Sequence, residues 1–181
     1  MAVLSTIVVA FWLMLPAYVP NNAAVLAGGG RPIDGGRTWN GSRLLGDGKT
    51  WRGTFVGTAI GAGLALVLNA IAGDVGSAMG IDLPTFPAAV ALALPFGAMC
   101  GDIAASFLKR RTGRKRGAPF PVVDQLDFVV LALAFAFVAA PGWFTEQFTL
   151  GVLAVVLLLT PVLHVGTNVI AYHLGFKDEP Y

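Results

Sequence analysis

The sequence predicts an all-α integral membrane protein with five transmembrane helices, its N-terminus outside and its C-terminus cytoplasmic. Three observations carry that prediction. Of the 181 residues, 56% are hydrophobic and only 12% are charged, where a soluble domain carries about 25% charged residues. Apolar runs of about 20 residues, enough to cross a bilayer core, recur five times. Finally, all twelve Lys and Arg residues fall on segments that a five-helix count brings to one side.

The first run covers about 2–27, is uncharged throughout, and is interrupted late by Pro16 and by Pro20-Asn21-Asn22. No Lys or Arg precedes it, so it reads as a retained helix rather than a cleaved signal. The second run, about 53–73, lies between Arg52 and Asp74. Its Gly57, Gly61 and Gly63 suit close helix packing. They do not suit dinucleotide binding, because no strand–turn–helix context surrounds them. The third run covers about 85–108, the fourth about 122–140 and the fifth about 148–174. Cys100 is the single cysteine and sits in an apolar run, so it closes no internal disulfide.

Loops 28–52 and 109–121 carry five and six basic residues, and Lys177 follows the last helix. Loops 74–84 and 141–147 carry none. The positive-inside rule therefore makes the two basic loops cytoplasmic. One membrane-embedded domain, 1–181, is expected, with no soluble appendage.

Loop 28–52 is rich in Gly, Arg and Trp. Its Gly48-Lys49-Thr50 is not a Walker sequence, since Arg43 stands where that motif needs glycine. Lys49 and Arg52 nevertheless sit just before a helix, whose N-terminus favours an anion. That anion is either a substrate phosphate or a lipid headgroup.

The densest chemistry lies between Gly101 and Asp127. Asp102 is embedded in an apolar run, where a carboxylate is costly unless it is paired or metal-bound. Asp102, Ser106 and Lys109 share one helical face, over about 10 Å of rise. Arg110 follows at the membrane surface. After the basic loop, Pro121 opens the fourth helix, with Asp124 and Asp127 spaced to share a face. A short connection makes the third and fourth helices antiparallel neighbours, so Asp102 and Asp127 can face each other. Carboxylates beside Lys and Arg suggest Mg²⁺ and phosphates. The competing reading is of ordinary helix-start acids and a topogenic basic run. It leaves Asp102 unexplained.

On these residues the chain resembles a known group. Asp102-x₃-Ser106-x₂-Lys109-Arg110, a basic loop, and Asp124-x₂-Asp127 resemble the signature of membrane CTP:phosphatidate cytidylyltransferases. The chain is still more similar to their short archaeal relatives, the CDP-archaeol synthases. Those share the first-loop ending Gly46-Asp-Gly-Lys-Thr-Trp-Arg-Gly53 and the Pro20-Asn21-Asn22 element. Lys115-Arg116, Pro119-Phe-Pro121 and Asp124-Gln-Leu-Asp127 depart from the bacterial pattern and fit an archaeal ether-lipid substrate. The resemblance implies an Mg²⁺-dependent nucleotidyltransferase of phospholipid biosynthesis. Its partners would be CTP, an isoprenoid ether-lipid phosphate and the bilayer, with no nucleic acid. Asp102, Asp124 and Asp127 would hold the metal. Asp102, Ser106, Lys109, Arg110, Asp124 and Asp127 would form the catalytic set. Asp47, Lys49, Thr50, Arg52 and Lys115 would contact the nucleotide and its phosphates. The site would face the cytoplasm from the cell membrane.

His164, Asn168 and Tyr172 recur on one face of the fifth helix, as interhelical hydrogen-bonding groups or as a third side of the site. A transporter with Asp102 on an ion path is one alternative function. It would spread polar residues through several helices at mid-membrane. Another lipid-phosphate transferase is the second alternative. Pyrophosphate release that needs both Mg²⁺ and lipid phosphate separates these.

Overall fold

The structure is a computed structural model. It describes residues 2–113 and 123–173, with backbone only at Ala2, Val123, Asp124, Gln125, Asn168 and Ala171. The expectations for Lys115, Pro121 and Lys177 lie outside the described residues. The elements are α1 (Ala2–Tyr18), α2 (Pro20–Ala27), β1 (Thr38–Trp39), β2 (Ser42–Arg43), α3 (Trp51–Met79), α4 (Ala88–Arg111), α5 (Val123–Ala139), α6 (Pro141–Gln147) and α7 (Leu150–His173). Among the described residues, four stretches are long and apolar enough to cross a membrane: Val3–Ala27, Trp51–Met79, Ala88–Arg111 and Leu150–Thr167. Helix α5 has 17 residues. That is about 25 Å of rise, short of a hydrocarbon core of about 30 Å.

The first apolar run divides at Val19 because of its prolines. Pro20 has no N–H for the Pro16 carbonyl, so the ladder fails there and α2 starts afresh. The freed Pro16 carbonyl lies over Gly61 of α3, only 2.6 Å from where a Cβ would stand. The Pro20 carbonyl sits the same way against Gly57, at 2.7 Å. Gly53, Gly57, Gly61, Ala65, Leu68, Ala72 and Gly76 form the buried seam of α3. Small residues every fourth position let backbones approach, which is what holds helices together in lipid. Gly63 is a correction to the sequence expectation. It is off this seam, with no atom within 4 Å of a would-be Cβ.

Helices α4 and α5 pack equally closely. A Cβ at Gly97 would come 2.6 Å from the Leu131 carbonyl oxygen, and one at Gly101 2.5 Å from both the Asp127 carbonyl oxygen and Phe128 Cα. The two backbones therefore touch one residue away from Asp102. The common core fills the space between the helices, with Leu13, Met14, Val90, Leu94, Val129 and Val156 fully buried.

At the end far from loop 28–52, the extended stretch between α3 and α4 has no ladder of its own. Side chains take its carbonyls instead. Trp12 Nε1 donates to the Pro84 oxygen at 2.9 Å and Trp143 Nε1 to the Thr85 oxygen at 2.9 Å. Asn69 both donates to the Phe86 oxygen at 2.8 Å and accepts the Phe86 N–H at 2.7 Å. The turn leaving α3 needs Gly80, whose φ is +64°.

Candidate active site

Loop 28–52 is folded around one carboxylate. Asp34 has a side chain only 1% exposed. Its Oδ1 accepts the Gly36 N–H at 3.1 Å and Arg43 Nη2 at 2.7 Å. Its Oδ2 accepts Arg43 Nε at 3.2 Å and the Leu45 and Gly46 N–H groups at 3.0 and 3.3 Å. The Arg43 guanidinium holds this carboxyl well below the usual carboxylate range, against the opposing effect of burial, and the backbone N–H groups add to the lowering. Asp34 in turn raises the pKa of Arg43, with Asp47 contributing. Arg43 Nη1 also reaches Asp47 Oδ1 at 2.6 Å, so Asp47 is fixed although it is exposed.

Between Asp34 and Arg43 the chain makes a hairpin, pairing Thr38 with Arg43 and Trp39 with Ser42. Asn40 and Gly41 form its tip, with φ of +50° and +75°. Both positive values are what a two-residue type I′ turn requires. The loop closes where Pro32 bridges Thr50, the Ile33 N–H donates to the Lys49 oxygen at 2.8 Å, and the Trp51 N–H donates to the Arg31 oxygen at 3.2 Å. Thr50 then caps α3, its Oγ1 accepting the Gly53 N–H at 3.0 Å.

Three contacts fasten this loop to the last turns of α4. The Lys49 ammonium pairs with the Asp102 carboxylate, both half-buried. Ser106 Oγ donates to the Leu45 oxygen at 2.7 Å. Arg111 donates to the Trp39, Arg43 and Ser42 oxygens at 2.8, 2.9 and 3.3 Å. Arg110 lies beside Gly46, with Nη2 3.6 Å from a would-be Cβ. An open cavity of about 410 Å³ lies between the loop and Phe107 of α4, lined in part by Asp34, Arg37, Leu44 and Leu45 and by none of Lys49, Asp102, Ser106 or Arg110.

The expected residues thus divide. Asp102, Ser106, Lys49 and Arg110 come together where loop meets helix. Lys109 is half-buried on the same turn of α4 as Arg110. Asp127 is half-buried beside Gly101. Asp47 is tied to Arg43, Thr50 is buried as a cap, and Arg52 is exposed beside Gly30. Asp124 lies in α5 with its side chain outside the described residues, and Lys115 is outside them altogether. On the fifth apolar run, Tyr172 is 42% exposed, and the Asn168 side chain is outside the described residues. Sequence reasoning missed Asp34, Arg43 and Arg111. The Asn40-Gly41 pair, the strongest short hairpin signal, was the clue to the loop's fold.

Among the described residues no three His, Cys, Asp or Glu converge as a metal cage. Asp102 and Asp127 stand on helices in backbone contact, the Asp102 carboxylate facing Lys49 and Asp127 Oδ1 accepting the Phe128 N–H at 2.5 Å. Carboxylate oxygens are the donor type that suits Mg²⁺, which takes one or two of them and completes its shell with phosphate and water.

An apolar helical bundle with a charged, hydrogen-bonded cluster at one end defines an integral membrane protein with a polar face. The chain belongs to the family described as CarS-like: CDP-archaeol synthase, which matches residues 3–181. It is 68% identical to the CDP-archaeol synthase of Halorubrum lacusprofundi over 98% of each chain. It is 66% identical to that of Halobacterium salinarum over 100% of each. The CDP-archaeol synthase of Methanococcoides burtonii is 52% identical, over 93% of this chain and 100% of its own. A solved structure of an intramembrane enzyme for archaeal membrane lipids biosynthesis matches with a TM-score of 0.70 and 36% identity, covering 88% of this chain and 92% of that one.

Proposed function

We propose that the junction of loop 28–52 with α4 and α5 is the site of cytidylyl transfer. The protein is a CTP-using cytidylyltransferase. It transfers CMP from CTP to the phosphate of an unsaturated archaeal ether lipid, digeranylgeranylglyceryl phosphate, and releases pyrophosphate. A lipid phosphate oxygen attacks the α-phosphorus, and the bond from that phosphorus to the β-phosphate oxygen breaks. The lipid phosphate is already ionised near neutral pH, its second pKa being about 6, so no strong general base is needed. Positioning and charge neutralisation supply the rate.

The observation that carries this assignment is the Lys49–Asp102 ion pair across loop and helix. It holds together the cation that phosphates need and the carboxylate that a metal needs. Asp102 and Asp127, with Asp124, would hold Mg²⁺, which when bound neutralises charge on the nucleotide phosphates. Lys49, Arg52, Lys109, Arg110 and Lys115 would oppose the triphosphate and the departing pyrophosphate. Ser106, by fixing the Leu45 carbonyl, sets the loop's height on α4. Asp47 and Thr50 act through the loop, one holding Arg43 and the other capping α3.

In this reading the apolar run of about 122–140, which holds α5, is the fifth crossing. Both basic loops face the cytoplasm of a multi-pass protein in the cell membrane, by the positive-inside rule. The test uses purified protein in detergent with CTP, the lipid phosphate and Mg²⁺. Pyrophosphate release is expected to need all three. Asp102→Asn is expected to lower it about 100-fold or more, the loss typical of one preorganised charge-stabilising group. Full activity in Asp102→Asn would remove Asp102 from the site.

A further inference from the structure

We infer that Arg111 is a positioning residue for the nucleotide, acting through the 38–43 hairpin rather than on phosphate; the inference rests on the functional reading above. Arg111 ends α4. Its Nη1 donates to the Trp39 oxygen on β1, and its Nη2 to the Ser42 and Arg43 oxygens on β2, so one guanidinium spans both strands. The guanidinium carbon lies 5.2 Å from the Trp39 ring centre and 5.6 Å from that of Phe107, an α4 residue one turn back. Arg111 Nε is buried. Both Nη groups of this cation are thus taken up by carbonyls, and its plane lies against two aromatic rings.

The hairpin needs this clamp. It has only two residue pairs, and a lone two-stranded hairpin is marginal in water. What Arg111 fixes is passed on through Arg43. The Arg43 carbonyl is held by Arg111, while its side chain grips Asp34 and Asp47. Asp34 orients the Leu45 and Gly46 amides, which stand beside Ser106 and Arg110. Lys49 follows three residues on and meets Asp102. A lysine at 111 keeps the charge but lacks the planar fork and stacking face that three divergent carbonyls and two rings require.

The test compares wild type, Arg111→Lys and Arg111→Ala, purified in detergent and checked for monodisperse elution. Steady-state CTP kinetics at saturating lipid are measured beside hydrogen exchange of the amides at Leu44, Leu45 and Gly46. Both variants are expected to raise KM for CTP roughly tenfold with kcat within about threefold, the scale of one lost charge-assisted contact. Exchange at the three amides should quicken and be slowed again by saturating CTP with Mg²⁺. Wild-type KM and exchange in Arg111→Lys would overturn the inference, even if Arg111→Ala fails to fold. A fall in kcat at unchanged KM would overturn it too, by putting Arg111 on the reacting phosphates. Absence of CTP turnover in the wild type would overturn the functional reading instead.

Discussion

Asp34 shows how a single buried residue can organise a whole loop. Its buried carboxylate gathers Arg43 and three backbone amides. An unfolded aspartate protonates near pH 4, whereas the folded carboxyl is held far lower, first by Arg43. Its contribution is therefore present above about pH 4 and is lost progressively as pH falls from there through the lower folded value. Protection of the Leu45 and Gly46 amides should accordingly stay level from about pH 8 to about pH 5. Asp34→Asn should reduce that protection at neutral pH by about 1–3 kcal/mol, read by hydrogen exchange. Unchanged protection would mean that the hairpin stands without its carboxylate. Asp102 was legible in the sequence because a carboxylate in an apolar run demands a partner. Asp34 was not, because an aspartate in a Gly- and Arg-rich loop looks solvated until the chain closes over it. Lys49 was legible as a cation poised at a helix start, but its pairing with Asp102 spans 53 residues of chain and no local pattern encodes it.

At the scale of elements, glycine spacing decides which helices meet. Gly53, Gly57 and Gly61 repeat every four residues and receive α2, α1 and α4, with Gly61 pressed against Pro95 and the Pro16 carbonyl. Gly63 is two positions beyond Gly61, about 200° around the helix, and faces open space. Gly61→Ala should therefore destabilise the detergent-solubilised protein by about 1–3 kcal/mol, as overpacking does. Gly63→Ala should be neutral or slightly stabilising, since alanine is the better helix former. Equal thermal midpoints for the two variants would contradict the seam. Composition could nominate these glycines, but only the register of α3 against its neighbours separates them. The split of the first apolar run is simpler, because Pro16 and Pro20 are visible in the sequence and each removes a backbone donor. That α4 and α5 are neighbours was legible from their short connection, but their close approach at Gly97 and Gly101 was not. These glycines sit in an ordinary apolar run, and their partners are backbone atoms of α5.

At the scale of the whole molecule, charge and helix packing point to one functional end. Loop 28–52 and the end of α4 lie together, while α6 and the 80–87 stretch lie at the other end, joined by Trp143. On a Cys100→Ser background, cysteine at Thr38 should react with a membrane-impermeant thiol reagent only after the cytoplasmic face is opened. Cysteine at Glu146 should react in intact cells. The reverse pattern would invert the proposed orientation. The basic loops nominate this end in the sequence as the cytoplasmic one, because topology follows Lys and Arg placement. The fold of loop 28–52 was not legible, since it is built from side-chain contacts that return to α4. The central claim is that this loop supplies half of the nucleotide site, and Mg²⁺-dependent binding of CTP to purified protein, measured by calorimetry, tests it most directly. Lys49→Met should weaken that binding about 10- to 100-fold, as loss of a charge-assisted phosphate contact does. Binding of CTP to Lys49→Met at wild-type affinity would contradict the account.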